Sequence, residues 1–155
     1  MIELRHLHLD GDMPLVRALF EEYAATLGFD LCFQNFDEEL ASLPGSYAPP
    51  AGTIVVALVD GTGAGCVAVR PFEDGVCEMK RLYVKPAHRG RGIGRALALA
   101  VVEFAAAAGY ERMRLDTLAS MEEANALYRS LGFVPCERYR RNPCEHPVFM
   151  ELRLR

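Results

Sequence analysis

The chain has no C-x-x-C pair, no apolar run long enough to cross a bilayer, no block of basic charge and no internal repeat. Each absence excludes something. Five cysteines, Cys32, Cys66, Cys77, Cys136 and Cys144, form an odd set without redox or zinc-finger spacing, and are read as reduced, mostly buried thiols of a cytosolic protein. The opening "MIELRHLHLD" lacks the apolar centre of a signal peptide. The most apolar stretch, Ala96 to Ala108, contains Glu103 and is too short for a membrane span. The expectation is a soluble cytoplasmic protein. A formal net charge of −4 gives no general attraction to nucleic acid or anionic membrane, so any anion site must be local.

Metal ligands are also sparse. His6 and His8 alternate on a terminal strand, and Cys144-Glu145-His146 with Cys136 offers no standard zinc spacing, so no metal is expected. The 155 residues suit one domain, taken as residues 1–155, with a core of ordinary size.

What is present reads as mixed structure. "IELRHL" alternates as a half-buried strand does. From Asp12, a candidate N-cap, Leu15, Val16, Leu19, Phe20, Tyr23 and Leu27 recur at helical spacing, with Gly28 as a stop. "DEELASL" fits a second helix, and "PGSYAPPAG" a loop. Two apolar runs flank Asp60-Gly61, a hairpin signal, because such turns need positive φ. A strand "VCEMKRLYV" leads into a glycine stretch and a helix from about Gly92 to Ala108, ended by Gly109. "RMRLDT" is a strand. "SMEEANALYRSLGF" opens with a predicted capping box, Ser120 with Glu123. "FVPCERY" and "PVFMELRL" are predicted to close the sheet as an antiparallel pair. The order β-α-α-β-β-β-α-β-α-β-β is that of one α/β (α+β) domain.

Between Met79 and Arg95 stand six Lys or Arg residues and no acid, within an acidic chain. Gly90, Gly92 and Gly94 remove side chains there, so that successive backbone N–H groups can approach one anion. A helix start adds unpaired N–H groups and a positive dipole end. Strand, glycine turn and helix together describe a phosphate cradle. A P-loop is excluded because Arg95-Ala96 follows Gly94 where Lys-Ser/Thr is required. A dinucleotide fingerprint has Asp116 at a suitable distance but the wrong glycine spacing, and its strand would be a buried apolar run without Glu78, Lys80 and Arg81.

"RGRGIG" (Arg89 to Gly94) resembles the acetyl-CoA loop of the GNAT superfamily of N-acetyltransferases. "KRLYVKPAHRGRGIGRAL" and "NALYRSLGF" (Asn125 to Phe133) are similar to its core motifs, a likeness covering Cys77 to Phe133. The resemblance implies a mixed, mostly antiparallel, twisted sheet flanked by helices. It places acetyl-CoA at a splayed strand before the glycine loop. Leu82, Tyr83 and Val84 would meet pantetheine and thioester, Arg89, Gly90, Arg91, Gly92, Ile93, Gly94 and Arg95 the pyrophosphate, and Asn125 the pantetheine. Pro86 suits a strand whose pairing ends there.

Attack of an amine on a thioester needs a neutral amine, a donor for the oxyanion and a departing thiolate. A lysine-like amine with pKa near ~10.4 is mostly protonated at neutral pH, so its proton must be taken. Glu78 occupies the position where one branch of the family carries its catalytic glutamate. Its other readings are pairing with Lys80 or Arg81, or binding a cationic acceptor. Tyr128 matches the family tyrosine beside the coenzyme sulfur. Full proton transfer from phenol to thiolate is uphill by about 2 kcal/mol, so a hydrogen bond to the departing thiolate is the role implied. The alternative is a core aromatic beside Leu127 and Leu131. Asp116 and Thr117 end a strand facing this region.

Phe29, Phe33 and Phe36, with Tyr23, Gln34 and Tyr47, are candidates for the acceptor wall, and Tyr139 and Asn142 for its far side. A stripe of phenylalanines also reads as core. The expected partner is a small amine or amino-acid-like acceptor, with neither nucleic acid nor membrane, and the resemblance is compatible with a homodimer. A non-catalytic acyl-CoA-binding regulatory module and a nucleotide-binding domain of another fold are the alternatives. Glu78 and Tyr128 favour the enzyme.

Overall fold

The structure, a computed structural model, describes residues 1–27, 35–144 and 146–154. The run "TIVVALV" becomes β2 (Thr53–Val59), buried along its whole length. Strand alternation sends Val55, Ala57 and Val59 into one core and Ile54, Val56 and Leu58 into another. Both faces of the sheet are covered, so this strand shows no polar side. It joins β3 (Thr62–Glu73) through Asp60 (φ 50°) and Gly61 (φ 82°), the double positive φ that a two-residue hairpin demands.

The other strands are β1 (Ile2–His6), β4 (Val76–Val84), β5 (Arg112–Leu118), β6 (Val134–Pro135) and β7 (Pro147–Arg153). They form one seven-stranded sheet in the order β1-β2-β3-β4-β5-β7-β6. Every pairing is antiparallel except β4 with β5. Helices α1 (Met13–Thr26) and α2 (Phe36–Ser42) cover one face, where Val16, Leu19, Phe20 and Phe36 pack on Ile54, Val56 and Ala68. Helices α3 (Ile93–Ala107) and α4 (Glu122–Ser130) cover the other. In α3, Ile93, Leu97, Val101 and Ala105 recur every four residues and are fully or almost fully buried. Burial of each large aliphatic side chain contributes roughly 1.5–3 kcal/mol, and the intervening alanines are strong helix formers.

The element order agrees with expectation, and two local predictions are corrected. The capping box is absent: α4 starts at Glu122 after Met121, with no side-chain cap. A tight turn, Met121 N–H to Leu118 O at 3.0 Å, takes up the residues before it. Second, "FVPCERY" forms only a two-residue strand. Pairing ends with the Cys136 N–H on Phe149 O at 2.8 Å, after which Tyr139, Arg140 and Asn142 turn to carboxylates on β4 and β5. The predicted helix stop at Gly28 lies outside the described residues.

Candidate active site

The site begins where β4 and β5 separate. They pair in parallel only from Val76–Arg112 to Glu78–Arg114. Beyond that, β4 stays with β3 as far as Val84, while β5 follows β7 to Leu118. A bulge accompanies the divergence. Cys66 faces Tyr83 and Ala68 faces Lys80, so Val67 stands opposite both Arg81 and Leu82. Arg81 has φ 63°, a left-handed conformation costing about 1–2 kcal/mol for a side-chain-bearing residue. Its guanidinium makes a bidentate pair with Glu39 on α2 and lies 5.1 Å from the centre of the Phe36 ring. Such bulges re-aim side chains. Met79, Leu82 and Val84 pack on the α3 core, whereas Arg81 and Tyr83 face α1 and α2.

Two adjoining depressions fill the splay. The larger, about 580 Å³, runs over Leu82, Tyr83 and Val84 to Arg89, Gly90, Gly92, Ile93 and Gly94, with the Leu118–Ala124 turn as its other wall. Gly90 (φ 80°) and Gly92 (φ 78°) leave open space where a Cβ would project. The first intrahelical N–H bond of α3 is Ala96 to Gly92 O, so the N–H groups of Ile93, Gly94 and Arg95 precede any helical acceptor. Arg89 is bonded through Nε to Val84 O, Arg95 through Nη1 to Ser130, and Arg91 is exposed. Asn125 is buried and donates through Nδ2 to Leu118 O, leaving Oδ1 without a partner. Asn125 itself lines neither depression. Open glycines and a helix start together fit the pyrophosphate of coenzyme A.

The smaller cavity, about 70 Å³, lies on the α1 side and is walled by Tyr23, Lys80, Asp116, Thr117, Tyr128 and Asn142 among others. Tyr23, Leu27, Leu82, Leu118, Met121 and Ala124 line both spaces, so the two adjoin. Tyr128 is 8 % exposed, and burial pushes its phenol well above the usual range. Lys80 is 5 % exposed. Burial brings its ammonium down to about 7, against the opposing pull of Glu78 and Asp116.

Glu78 is fully buried and lies away from both spaces. Its carboxylate accepts from Arg70 (3.0 Å), Arg140 (3.0 Å) and the Tyr139 hydroxyl (2.7 Å). Burial alone would raise its pKa, but Lys80, Arg140, Arg70 and Tyr139 together hold it below the ordinary carboxylate value. That is the reverse of the tuning a general base needs. Its partners are Arg70 and Arg140, which the sequence reading did not name. Phe36 and Tyr47 sit in the core, not on the cavity wall. Phe29, Phe33 and Gln34 lie outside the described residues. Among the described residues no group of three or more His, Cys, Asp or Glu could hold a metal ion, and no helix is long and apolar enough to cross a membrane.

The acetyltransferase (GNAT) family pattern matches residues 16–133. The chain belongs to the GNAT acetyltransferase family. The enzyme is thus an N-acetyltransferase, and its relatives agree. An uncharacterized N-acetyltransferase of Schizosaccharomyces pombe is 42% identical over 155 residues, covering 99% of this chain and 95% of the relative. The human N-acetylaspartate synthetase is 42% identical over 86 residues, 55% of this chain and 28% of that protein. The PaiA N-acetyltransferase of Thermoplasma acidophilum, solved in complex with coenzyme A, shares the fold at TM-score 0.73 and 18% identity, over 99% of each chain.

Sequence reasoning missed Lys80 as a cavity residue and Arg81 as the bulge.

Proposed function

We propose that the enzyme transfers an acetyl group from acetyl-CoA to the primary amine of a small, amino-acid-like acceptor by direct attack on the thioester. The observation that carries this reading is that the glycine-lined cleft and the small cavity adjoin at the splayed strands, sharing six wall residues. The large cleft would take the coenzyme, its pyrophosphate on the Gly90–Arg95 backbone and its pantetheine along Leu82–Val84. The small cavity would take the acceptor. The human relative named for N-acetylaspartate supports an acceptor of amino-acid type.

Acetyl-CoA supplies the activated acyl group: the neutral amine forms the C–N bond as the C–S bond breaks, coenzyme A leaves as thiolate, and the proton shed by the amine passes to solvent water. The rest falls to the chain. Past Glu78 the β5-facing edge of β4 has no strand partner among the described residues, so its backbone would be placed to meet the thioester carbonyl, where donors aimed at developing charge contribute strongly. Tyr128 lines the small cavity with a phenol whose pKa burial raises, and it would donate to the departing sulfur. Glu78 acts at one remove, as a positioning residue. By fixing Tyr139 and Arg140 it orders the segment whose Asn142 walls the acceptor cavity.

The test is thiol release from acetyl-CoA with a panel of amino acids and simple amines. Turnover with an amino acid supports the reading. Saturable acetyl-CoA binding without turnover of any amine would favour the non-catalytic acyl-CoA-binding module.

A further inference from the structure

We propose that Met121, held in place by the Thr117 hydroxyl, sets the length of acyl chain the enzyme accepts, admitting acetyl-CoA and turning away butyryl-CoA and longer thioesters. This rests on the acetyl-transfer reading above and adds to it the residue that selects the acyl donor.

Met121 stands in the turn between β5 and α4. Its N–H donates to Leu118 O and its carbonyl accepts from the Asn125 N–H, both at 3.0 Å, so the backbone is fixed on either side. The side chain is fixed as well. The hydroxyl of the buried Thr117 donates to Met121 Sδ at 3.4 Å. Thr117 lines only the small cavity, whereas Met121 lines both that cavity and the coenzyme cleft. The thioether therefore lies across the boundary, with its sulfur on the acceptor side. Of the other residues that line both spaces, Tyr23, Leu27, Leu82 and Ala124 pack on one or other hydrophobic core, and Leu118 ends strand β5. Met121 does neither, so it lines the two spaces without supporting the sheet.

The acyl carbon follows the coenzyme sulfur, so with pantetheine along Leu82–Val84 the acyl chain would point across this boundary. The space beyond is small: about 70 Å³ must hold both the acyl group and the attacking amine. A methyl group suits it, and each further methylene has to displace a wall. Methylenes forced into a packed wall cost more than their burial returns, and apolar pockets discriminate one methylene by about 10- to 200-fold. An unbranched thioether left to itself would swing aside and blunt that limit. The Thr117 hydroxyl restrains it. Sulfur is a weak acceptor, so the restraint is modest and its removal should relax the limit rather than abolish it. Thr117 is thus a positioning residue that acts through Met121.

Coenzyme A and its thioesters are the probes, so no acceptor is needed. Calorimetric titration of the full chain with coenzyme A, acetyl-CoA, propionyl-CoA and butyryl-CoA gives the affinity for each acyl length relative to the bare thiol. The same series on Met121→Ala, Thr117→Val and Thr117→Ser assigns the selectivity to residues. Met121→Ala keeps both backbone bonds of the turn and removes no side chain from either core, so it should fold. Thr117→Val keeps the shape and removes the donor to sulfur, whereas Thr117→Ser keeps the donor.

The natural chain should bind butyryl-CoA about tenfold or more weakly than acetyl-CoA, with propionyl-CoA between them. Met121→Ala should bring butyryl-CoA to within roughly threefold of acetyl-CoA. Thr117→Val should narrow the gap about threefold, and Thr117→Ser should restore it, a pattern that lost packing alone would not give. Equal affinity of the natural chain for acetyl-CoA and butyryl-CoA overturns the proposal, and that comparison needs no variant. A gap that Met121→Ala leaves unchanged overturns it too, and a gap narrowed as far by Thr117→Ser as by Thr117→Val overturns the role of Thr117. Coenzyme A itself separates the two readings. A chain that binds no coenzyme A overturns the acetyl-transfer reading and this proposal together, whereas binding of coenzyme A with no dependence on acyl length overturns the proposal alone.

Discussion

The Arg81 guanidinium holds the Glu39 carboxylate through two bonds of 2.9 Å, tying the bulged strand β4 to helix α2. Both side chains are nearly out of solvent, at 2 % and 10 % exposure. The pair thus offsets the cost of placing Arg81 in a left-handed conformation at the point where the sheet opens.

Removing one member of a buried pair leaves an uncompensated charge and typically costs about 3–5 kcal/mol. Glu39→Ala should lower stability by that amount in urea unfolding monitored by circular dichroism. A loss below about 1 kcal/mol would mean that the pair does not hold the bulge.

Glu78 gives a prediction with a sign. Its pKa is depressed in the folded protein. Its contribution to stability is therefore present above the unfolded carboxyl value near ~4.3 and is lost as pH falls through the lower folded value. Throughout the range from pH 6 to 9 the group stays ionised. Glu78→Gln should accordingly flatten the acid limb of the stability curve and raise the acceptor KM, leaving the shape of the pH–rate profile over that range unchanged. Loss of the alkaline-rising limb of kcat in the variant would restore the general-base role.

Tyr128→Phe removes one hydroxyl from a buried ring that packs 5.9 Å from Phe133 and retains that packing. A hydrogen bond to a charged partner contributes roughly 1.5–3 kcal/mol, so kcat should fall about 10- to 150-fold. Acetyl-CoA affinity, measured separately, should change less than threefold. Equal losses in kcat and affinity would make Tyr128 a packing residue alone.

The glycine turn was legible in the sequence because its requirements are local: positive φ at Gly90 and Gly92, and a helix starting at Ile93. The hairpin at Asp60-Gly61 was legible for the same reason. Arg81 was not, because a bulge is a relation between two strands and depends on which residues of β3 face β4. The partners of Glu78 come from Arg70 and Arg140, eight and sixty-two residues away, and no periodicity in β4 points to them. The ends of "FVPCERY" were misread for a related reason. Its composition suits a strand, but Tyr139 and Arg140 have tertiary partners that override local preference.

The central claim is that the cleft above β4 is a coenzyme site. Calorimetric titration with acetyl-CoA, run on the natural chain and on a Gly92→Ala, Gly94→Ala double variant, tests it most directly. The first substitution strains a left-handed residue in open space, and the second adds a methyl where Val84 and Leu127 lie 3.6 and 3.7 Å away, so the variant should fold. The account predicts saturable one-to-one binding to the natural chain and at least tenfold weaker binding to the folded variant. Absence of binding to the natural chain, or equal affinity in both proteins, would contradict it.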